Sequence, residues 1–563
     1  MPTTGHIDTY VRDRLPAPQD NPDFLLEQAG LLYPQRLNAA SALLDPWRER
    51  GWDGRTALIG VGADGRDDVW SYGRLRDTVD RVGRVLTEDF GIVPGNRVLL
   101  RGPNTPMLVA CWLAAVKAGA VVVPTMPLLR APELAHVLTK AAVNVALCDA
   151  RYLAEMRAAC DSVPGEVPAL TFNGGADAGL EALLGSKPAD FAPADTASDD
   201  PALILFTSGT TGTPKAAVHF HRDLLAVADL SPRSILGTTD ADVFCGSTAL
   251  AFAFGVGALL LFPLRAGASV VLLERWTPEA LLDAMVRHRT TRLFTVPTAY
   301  RSMIALLREG YLERGRLSSL CSCVSAGEPM PVNTFEAWRD LTGQEILDSL
   351  GTTEMLNAVL HATPEGLRPG CTGKPVPGYE AMIVDDSLQP VPAGQIGRLA
   401  VRGPTGCRYL DDARQSLYVQ GGWNLTGDAF HMDEDGYFWY SARTDDLIVS
   451  AGYKISGLEL EDVLLRHEAV DECVVVASPD PLRGSIPKAF IVPREGVPPS
   501  EDLAEALRSY VKDRIAPYKY PRAVEFLDEL PRTETGKVQR YKLRERERTS
   551  RMENAEKDWP YGT

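Results

Sequence analysis

The densest concentration of chemistry-capable residues in the chain is Leu205-Phe-Thr-Ser-Gly-Thr-Thr-Gly-Thr-Pro-Lys215. Its glycines let the backbone turn tightly, and its hydroxyls and exposed N–H groups offer many donors to phosphate oxygens. Lys215 adds a point charge. An apolar strand precedes this run, and a helix-compatible segment, AAVHFHRDLLAVA, follows it. It is not a Walker loop, because Gly209 and Lys215 do not fit G-x-x-x-x-G-K-[ST]. A mere turn does not need this density of Thr, Ser and Gly, so phosphate binding is the expected chemistry. Gly60-Val-Gly-Ala-Asp-Gly65 does satisfy G-x-G-x-x-G, yet a polar stretch and then a strand-like one follow it. A hairpin turn is expected there, not a dinucleotide site. His219 and His221 tempt a metal reading, but i, i+2 spacing puts them on different helix faces, and packing or surface roles are expected.

The elements around the loop show how such residues are positioned. Residues 97–100, 121–124 and 143–148 are apolar strand-like runs, separated by helical stretches over 106–118 and from 131 to about 140. That alternation is the rhythm of a mainly parallel sheet with crossover helices. It resumes at 202–206, 269–273 and 292–296 after a Gly-, Ala-, Pro- and Asp-rich surface excursion over 174–200. From about Gly394 short strands with turn residues between them predict an antiparallel section. Beyond Glu459 a helix, two strands (ECVVVAS and KAFIVP), a second helix and a basic tail make a small α+β unit. At 563 residues at least two domains are expected.

A net charge of −16 argues against a nucleic-acid or anionic-membrane partner, while a local cluster of donors can still hold a phosphate. The nine cysteines lack paired zinc spacing and read as buried reduced thiols. The first residues have no apolar core and are no signal peptide. Residues 243–264 carry no charge, but their glycines and Pro263 favour a buried strand–turn–helix over a membrane span. A cytoplasmic protein is expected.

The loop TSGTTGTPKA resembles the phosphate-loop signature of the adenylate-forming superfamily, which includes acyl- and aryl-CoA synthetases. Further blocks match in order. Ser325-Ala-Gly-Glu-Pro329 resembles the adenine-side loop, and Asp348-Ser-Leu-Gly-Thr-Thr-Glu354 the loop that ends in the metal-associated acid. Thr426-Gly-Asp428 resembles the ribose motif, Arg443-Thr-Asp-Asp446 and Gly452-Tyr-Lys454 the hinge region, and Pro531-Arg-Thr-Glu-Thr-Gly-Lys537 the closing lysine motif.

The resemblance implies an α/β fold. A large multi-subdomain N-terminal domain of mixed and parallel sheets, crossover helices and a β-barrel-like section (residues 1–444) would bind AMP and the acid. A small mobile α+β C-terminal domain (445–563) would act as the lid. It implies that Thr207, Ser208, Gly209, Thr210, Thr211, Gly212 and Lys215 hold phosphates, with Glu354 and Thr207 on Mg²⁺. Ala326, Gly327, Glu328, Pro329, Ser349, Gly351, Thr352 and Thr353 would surround the nucleotide. Asp428 with Arg443 would hold the ribose, and Lys537 would bridge the acyl carboxylate and the α-phosphate. Thr207, Lys215, Glu354 and Lys537 are thus the expected catalytic set. After adenylation the lid would turn about Asp445, withdrawing Lys537 and bringing up the Gly452–Lys454 face, where Gly452 admits the pantetheine arm of coenzyme A.

ATP, Mg²⁺ and coenzyme A are the implied cofactors, and a monomer or homodimer the implied assembly. For the acid, Asp348–Met355 and Ala251–Gly255 are similar to benzoate-type ligases, and the opening residues resemble 2-aminobenzoate–CoA ligases. Phe252 falls where an aromatic gate is expected. With Gly255, Val296, Ser325, Ala326, Leu350, Gly351 and Met355 it would line a flat apolar pocket suited to an aryl ring. A medium-chain fatty acid fits the same residue types. A carrier-protein thiol is an alternative acceptor. A non-catalytic nucleotide-binding regulator is disfavoured by the intact Lys537, Glu354, Asp428 and Arg443.

Overall fold

The structure is a computed structural model that describes residues 3–207, 214–313, 315–450, 453–480, 483–515, 519–532 and 538–557. The chain divides into two compact units, residues 1–381 with 401–424, and residues 382–400 with 425–563. Three strands, Glu380–Val384, Gly397–Arg402 and Trp423–Met432, are continuous across this division.

The first unit is built on two sheets. One has six strands in the order Ala169–Phe172, Val145–Asp149, Arg97–Arg101, Val121–Thr125, Pro201–Thr207, Lys215–Phe220. All pairs are parallel except the last. The other has nine strands, with a parallel centre running from Ile346–Gly351 through Ser322–Ser325, Arg292–Thr295, Val243–Gly246 and Ser269–Leu273 to Thr56–Val61. Antiparallel strands flank that centre. Central strands such as Arg97–Arg101 and Val121–Thr125 are buried along their whole length, as parallel strands covered on both faces must be.

The helix Pro106–Lys117 shows why a crossover forms where it does. The Thr105 hydroxyl accepts the Leu108 N–H at 3.3 Å, and Pro106 supplies the fixed φ of a first helical residue. It is apolar all round and buried all round. Its Leu113 is fully buried, and truncating such a side chain to Ala costs about 2–5 kcal/mol. The uncharged stretch 243–264 is the expected strand–turn–helix: strand Val243–Gly246, then short helical pieces from Ala253, including a π-helical turn over Gly257–Leu261. Gly60–Gly65 is the expected hairpin, joining antiparallel Thr56–Val61 and Asp67–Ser71. All nine cysteines are free thiols, seven of them buried. Among the described residues no helix is long and apolar enough to cross a membrane, and no cluster of His, Cys, Asp and Glu could hold a metal by itself.

Two expectations need correction. The residues after the phosphate loop do not enter a helix directly. Lys215–Phe220 is a strand, antiparallel to Pro201–Thr207, and the helix starts only at His221. His219 is therefore a strand residue. The second correction concerns 174–200, read as a surface excursion. Thr196–Asp200 is buried, and the Asp200 carboxylate accepts Gly5 and Ala197 N–H groups at 2.8 Å and pairs with Arg12 at 2.8 Å.

The second unit holds a five-stranded sheet, ordered Tyr453–Ile455, Ile448–Ser450, Gly484–Pro493, Val470–Asp480, with Ala523–Phe526 parallel to Gly484–Pro493. Helices Gly457–Leu464 and Glu501–Lys512 pack their Leu460, Leu464, Leu507 and Val511 into its core. The basic tail forms a helix, Arg540–Lys557.

Candidate active site

The carboxyl ends of parallel strands, where backbone N–H groups and loop residues converge, are the usual ligand-binding edge of such sheets. Thr207 ends one strand of the six-stranded sheet and is the register partner of Lys215 across the hairpin. The Thr207 Oγ1 is buried and has no hydrogen-bond partner among the described residues. Lys215 reaches Glu354, Nζ to Oε1 at 3.5 Å, and lies over the rings of Tyr409 and Tyr418 at 4.8 and 5.6 Å. Tyr409 donates its hydroxyl to Glu354 Oε1 at 2.5 Å. Burial, with Glu354 beside it, pushes the Tyr409 phenol far above its ordinary range, so it stays a donor at any working pH.

Local structure explains why these groups meet. Thr352 caps a short turn over Thr353–Met355 by accepting Met355 N–H at 3.1 Å, and Leu356 closes the turn with φ +66°. Thr405 donates to Met355 O at 2.7 Å, and Tyr418 donates to Thr352 at 3.2 Å. His219 Nε2 donates to Thr353 O at 2.9 Å, and burial lowers its pKa to about 4, keeping it neutral. Tyr409 is presented by its neighbour Arg408, whose guanidinium lies 3.9 Å from both the Phe24 and Phe220 rings and 3.3 Å from buried Asp223. Burial brings Arg408 down to about 10, against the pull of Asp223. The backbone there bonds to the Lys215–Phe220 strand through Val218 N–H to Arg408 O and Leu410 N–H to Ala216 O.

A second group of polar atoms lies at the ends of the nine-stranded sheet. Ser325 and Asp348 are register partners on neighbouring parallel strands, and Ser325 Oγ and Asp348 Oδ1 are buried without partners among the described residues. Burial raises the Asp348 carboxyl well above the usual range, outweighing hydrogen bonds from Ser349 and Thr372. Ser349 donates to Ser325 O at 2.9 Å. Ala326 is buried, while Gly327 and Pro329 are exposed and Glu328 is half-buried. Gly327 takes φ +88°, and a Cβ on it would sit 3.8 Å from Val296 Cγ1.

Of the remaining expected pocket residues, Phe252 is 45% exposed and Leu350 half-buried, whereas Met355 has no exposed surface at all. Gly255 is required, because a Cβ there would lie 2.0 Å from Ala249 O. A Cβ on Gly351 would lie 2.8 Å from Asn357 O. A separate cavity of about 790 Å³ opens between residues 28–34 and Arg265, but its Asp229 is already held by Tyr33 and Arg265.

In the second unit Asp428 and Arg443 are register partners, and Arg443 donates to Asp428 Oδ1 at 2.8 Å. Gly427 stands at φ +77°, where a Cβ would lie 3.0 Å from the Arg443 guanidinium. Asp445 lies in the turn Thr444–Asp446, and Lys454 in the strand Tyr453–Ile455, paired with Val449. Ser208, Gly209, Thr210, Thr211, Gly212, Gly452 and Lys537 lie outside the described residues. Arg532 and Val538, on either side of the lysine motif, form an antiparallel bridge.

Tyr409, Tyr418 and the part played by Asp348 are what reading the sequence did not single out, whereas the packing role expected for His219 is what it has. Asp348 was visible inside a motif, whereas Tyr409 carries no local signal.

An arrangement with a neutral phenol, a lysine and a buried carboxylate beside a hydroxyl-rich hairpin is suited to polyphosphate. The comparisons with known proteins agree. Residues 46–408 match the family described as AMP-binding enzyme, and residues 459–537 the AMP-binding enzyme C-terminal domain. The chain belongs to the AMP-binding enzyme family, within which it is an acid–thiol ligase. It is 36% identical over 523 residues to the benzoate–CoA ligase of Thauera aromatica, covering 91% of this chain and 96% of that one. The solved anthranilate CoA ligase AuaEII in complex with anthranoyl-AMP is 32% identical, with a TM-score of 0.83 over 92% of this chain and 99% of its own. A benzoate CoA ligase from Burkholderia xenovorans LB400 is 33% identical, with a TM-score of 0.78 over 90% and 100%.

Proposed function

We propose that the protein joins an aryl carboxylic acid, of the benzoate or 2-aminobenzoate type, to coenzyme A at the expense of ATP. The observation that carries this reading is the Lys215–Glu354–Tyr409 contact at the strand ends, in a chain similar along most of its length to two aryl-acid ligases. In the first step a carboxylate oxygen of the acid attacks the α-phosphorus of ATP, and pyrophosphate leaves. In the second the coenzyme A sulfur attacks the acyl carbonyl, AMP leaves, and the thiol proton passes to solvent.

Each group has a physical task. Lys215 and the hydroxyls of 207–213 counter the charge of the departing phosphates. Glu354 and the unpartnered Thr207 Oγ1 are hard oxygen donors, which fits Mg²⁺. Bound there, the ion would offset charge on the phosphate oxygens. Tyr409 holds the Glu354 carboxylate in place. The buried atoms Asp348 Oδ1 and Ser325 Oγ, without partners among the described residues, suit the exocyclic amino edge of adenine, and Asp428 with Arg443 suits the ribose hydroxyls. We assign the adenylation step to Lys537 and the thioester step to the Gly452–Lys454 face, with residues 445–563 turning about Asp445 between them. Reduced thiols throughout support a cytoplasmic setting.

The test is release of pyrophosphate and AMP with ATP and Mg²⁺ across benzoate, 2-aminobenzoate, 2-hydroxybenzoate, phenylacetate and octanoate, with and without coenzyme A. Turnover on aryl acids that requires coenzyme A is expected. Preference for octanoate, or adenylation indifferent to coenzyme A, would overturn the assignment of substrate or acceptor.

A further inference from the structure

Phe252 stands out in its surroundings, being 45% exposed between Leu250 at 3% and Ala253 at 7%. It lies on the loop that follows Val243–Gly246, at the carboxyl edge where Thr295 and Ser325 also end their strands. The loop is tied at several points. Phe252 N–H donates to Ala249 O at 3.1 Å, Val256 N–H donates to Phe252 O at 2.9 Å, and Gly255 leaves room for Ala249 O.

The remaining tie comes from the other sheet. Asn104, just past the carboxyl end of Arg97–Arg101, is 8% exposed and uses both ends of its amide on this loop. Nδ2 donates to Thr248 O at 2.8 Å, and Oδ1 accepts Leu250 N–H at 2.9 Å. An Asn side chain that satisfies a carbonyl and an N–H two residues apart fixes the backbone between them as a strand neighbour would. Beneath the loop lies a void of about 10 Å³, lined by Leu100, Leu108, Trp112, Leu250 and Ala251. Freed of Asn104, the 248–250 backbone loses two of its fixed points, and Phe252 would move with it.

We infer that Asn104 is a positioning residue for acid selectivity, which holds the 248–250 backbone so that Phe252 stands at one height over the acid-binding edge. This rests on the reading of Phe252 as a wall of the acid pocket. The Asn104 amide bonds Thr248 and Leu250 and not the Lys215–Glu354 group, so its effect should fall on which acid is accepted and not on nucleotide affinity.

The experiment compares Asn104→Ala, Asn104→Asp and Phe252→Ala for KM of each ring-substituted benzoate, KM of ATP, and melting temperature. Losing both hydrogen bonds should raise KM for the preferred acid roughly tenfold or more. It should also flatten the ranking among ring substituents, with KM for ATP within about twofold. Asn104→Asp keeps the acceptor for Leu250 N–H but can donate to Thr248 O only when protonated. An Asp carboxyl is ionised across pH 6–8, so this variant should flatten the ranking as Asn104→Ala does although Asp nearly matches Asn in size, a response that a simple packing role would not give. Equal increases for every acid and for ATP, or unchanged ranking in both Asn104 variants, would overturn the inference. If Phe252→Ala also leaves the ranking unchanged, the pocket reading falls with it. If Phe252→Ala changes the ranking and the Asn104 variants do not, the pocket reading stands and the inference alone fails.

Discussion

Replacing Tyr409 with phenylalanine removes one oxygen and little else. The ring keeps its place over the Lys215 Nζ at 4.8 Å and its edge contact with Tyr418 at 5.8 Å. What goes is the 2.5 Å hydrogen bond to the Glu354 carboxylate. A buried hydrogen bond to a charged group contributes about 1.5–3 kcal/mol. Among the described residues Glu354 would retain the longer 3.5 Å contact with Lys215, and the two rotatable bonds nearest its carboxyl would be less restrained. If the carboxylate must be held in one place during adenylation, that energy appears as a fall of roughly 10- to 150-fold in kcat for aryl-acid-dependent pyrophosphate release. The Mg²⁺ concentration needed for half-maximal rate should rise as well, while KM for the acid stays within about twofold. Tyr409→Ala, which also removes the ring from Lys215, should fall further. The assay is initial-rate pyrophosphate release under Mg²⁺ titration, with thermal melting alongside. A Tyr409→Phe enzyme that melts a few degrees lower but keeps its kcat and Mg²⁺ response would refute the functional role and leave Tyr409 as a packing residue.

Two further outcomes are expected. Lys537→Ala should lower adenylation by roughly 10²- to 10³-fold yet spare thioester formation from supplied aryl-adenylate, and Gly452→Trp should do the reverse; single-turnover assays of each half-reaction check this, and equal loss in both halves for either variant contradicts the assignment. Burial holds His219 and His361 down to about 4 and His221 down to about 3 from an ordinary 6.5. The folded chain then binds fewer protons than the unfolded one, so this stability is whole above about pH 6.5 and is lost as pH falls toward 4. Each such histidine contributes about 1.4 kcal/mol per pH unit in that window. Melting temperature followed from pH 7.5 to 4.5 should drop and should drop less steeply in His219→Gln; a flat profile would refute the burial argument.

Much of the site was legible because its residues sit in short local blocks. Ser325 to Pro329 and Asp348 to Glu354 each combine a strand end with a turn, Thr207 and Lys215 are paired strand ends, and those signals are carried by neighbours in sequence. The Lys215–Phe220 strand was not legible. Its alanines and the leucines after it favour helix locally, and the pairing that overrides them comes from Pro201–Thr207 across the hairpin. Tyr409 was hidden for a different reason. It meets Glu354 across 55 residues, and it is held there because Arg408 is clamped between Phe24 and Phe220, contacts that no local pattern encodes. Asn104 is hidden likewise, since its partners lie almost 150 residues away.

The strand Ile346–Gly351 bears on how this enzyme could be re-engineered. On the proposed reading its end supplies Leu350 to the acid side and, within four residues, Glu354 to the phosphate side, so both are fastened to one short piece of backbone. A mutation at Leu350 chosen to widen the substrate range would shift the phosphate grip as well, and turnover would be traded against scope. The loop bearing Phe252 has no such double allegiance, because it is anchored by Asn104 and Gly255 and carries none of the phosphate-side groups. Libraries aimed at new acids should therefore vary residues 248–255 with position 104 and leave 350–355 as they are. On this view part of the adaptable surface sits on a loop apart from the phosphate-side groups, and directed evolution would reach new substrates through that loop.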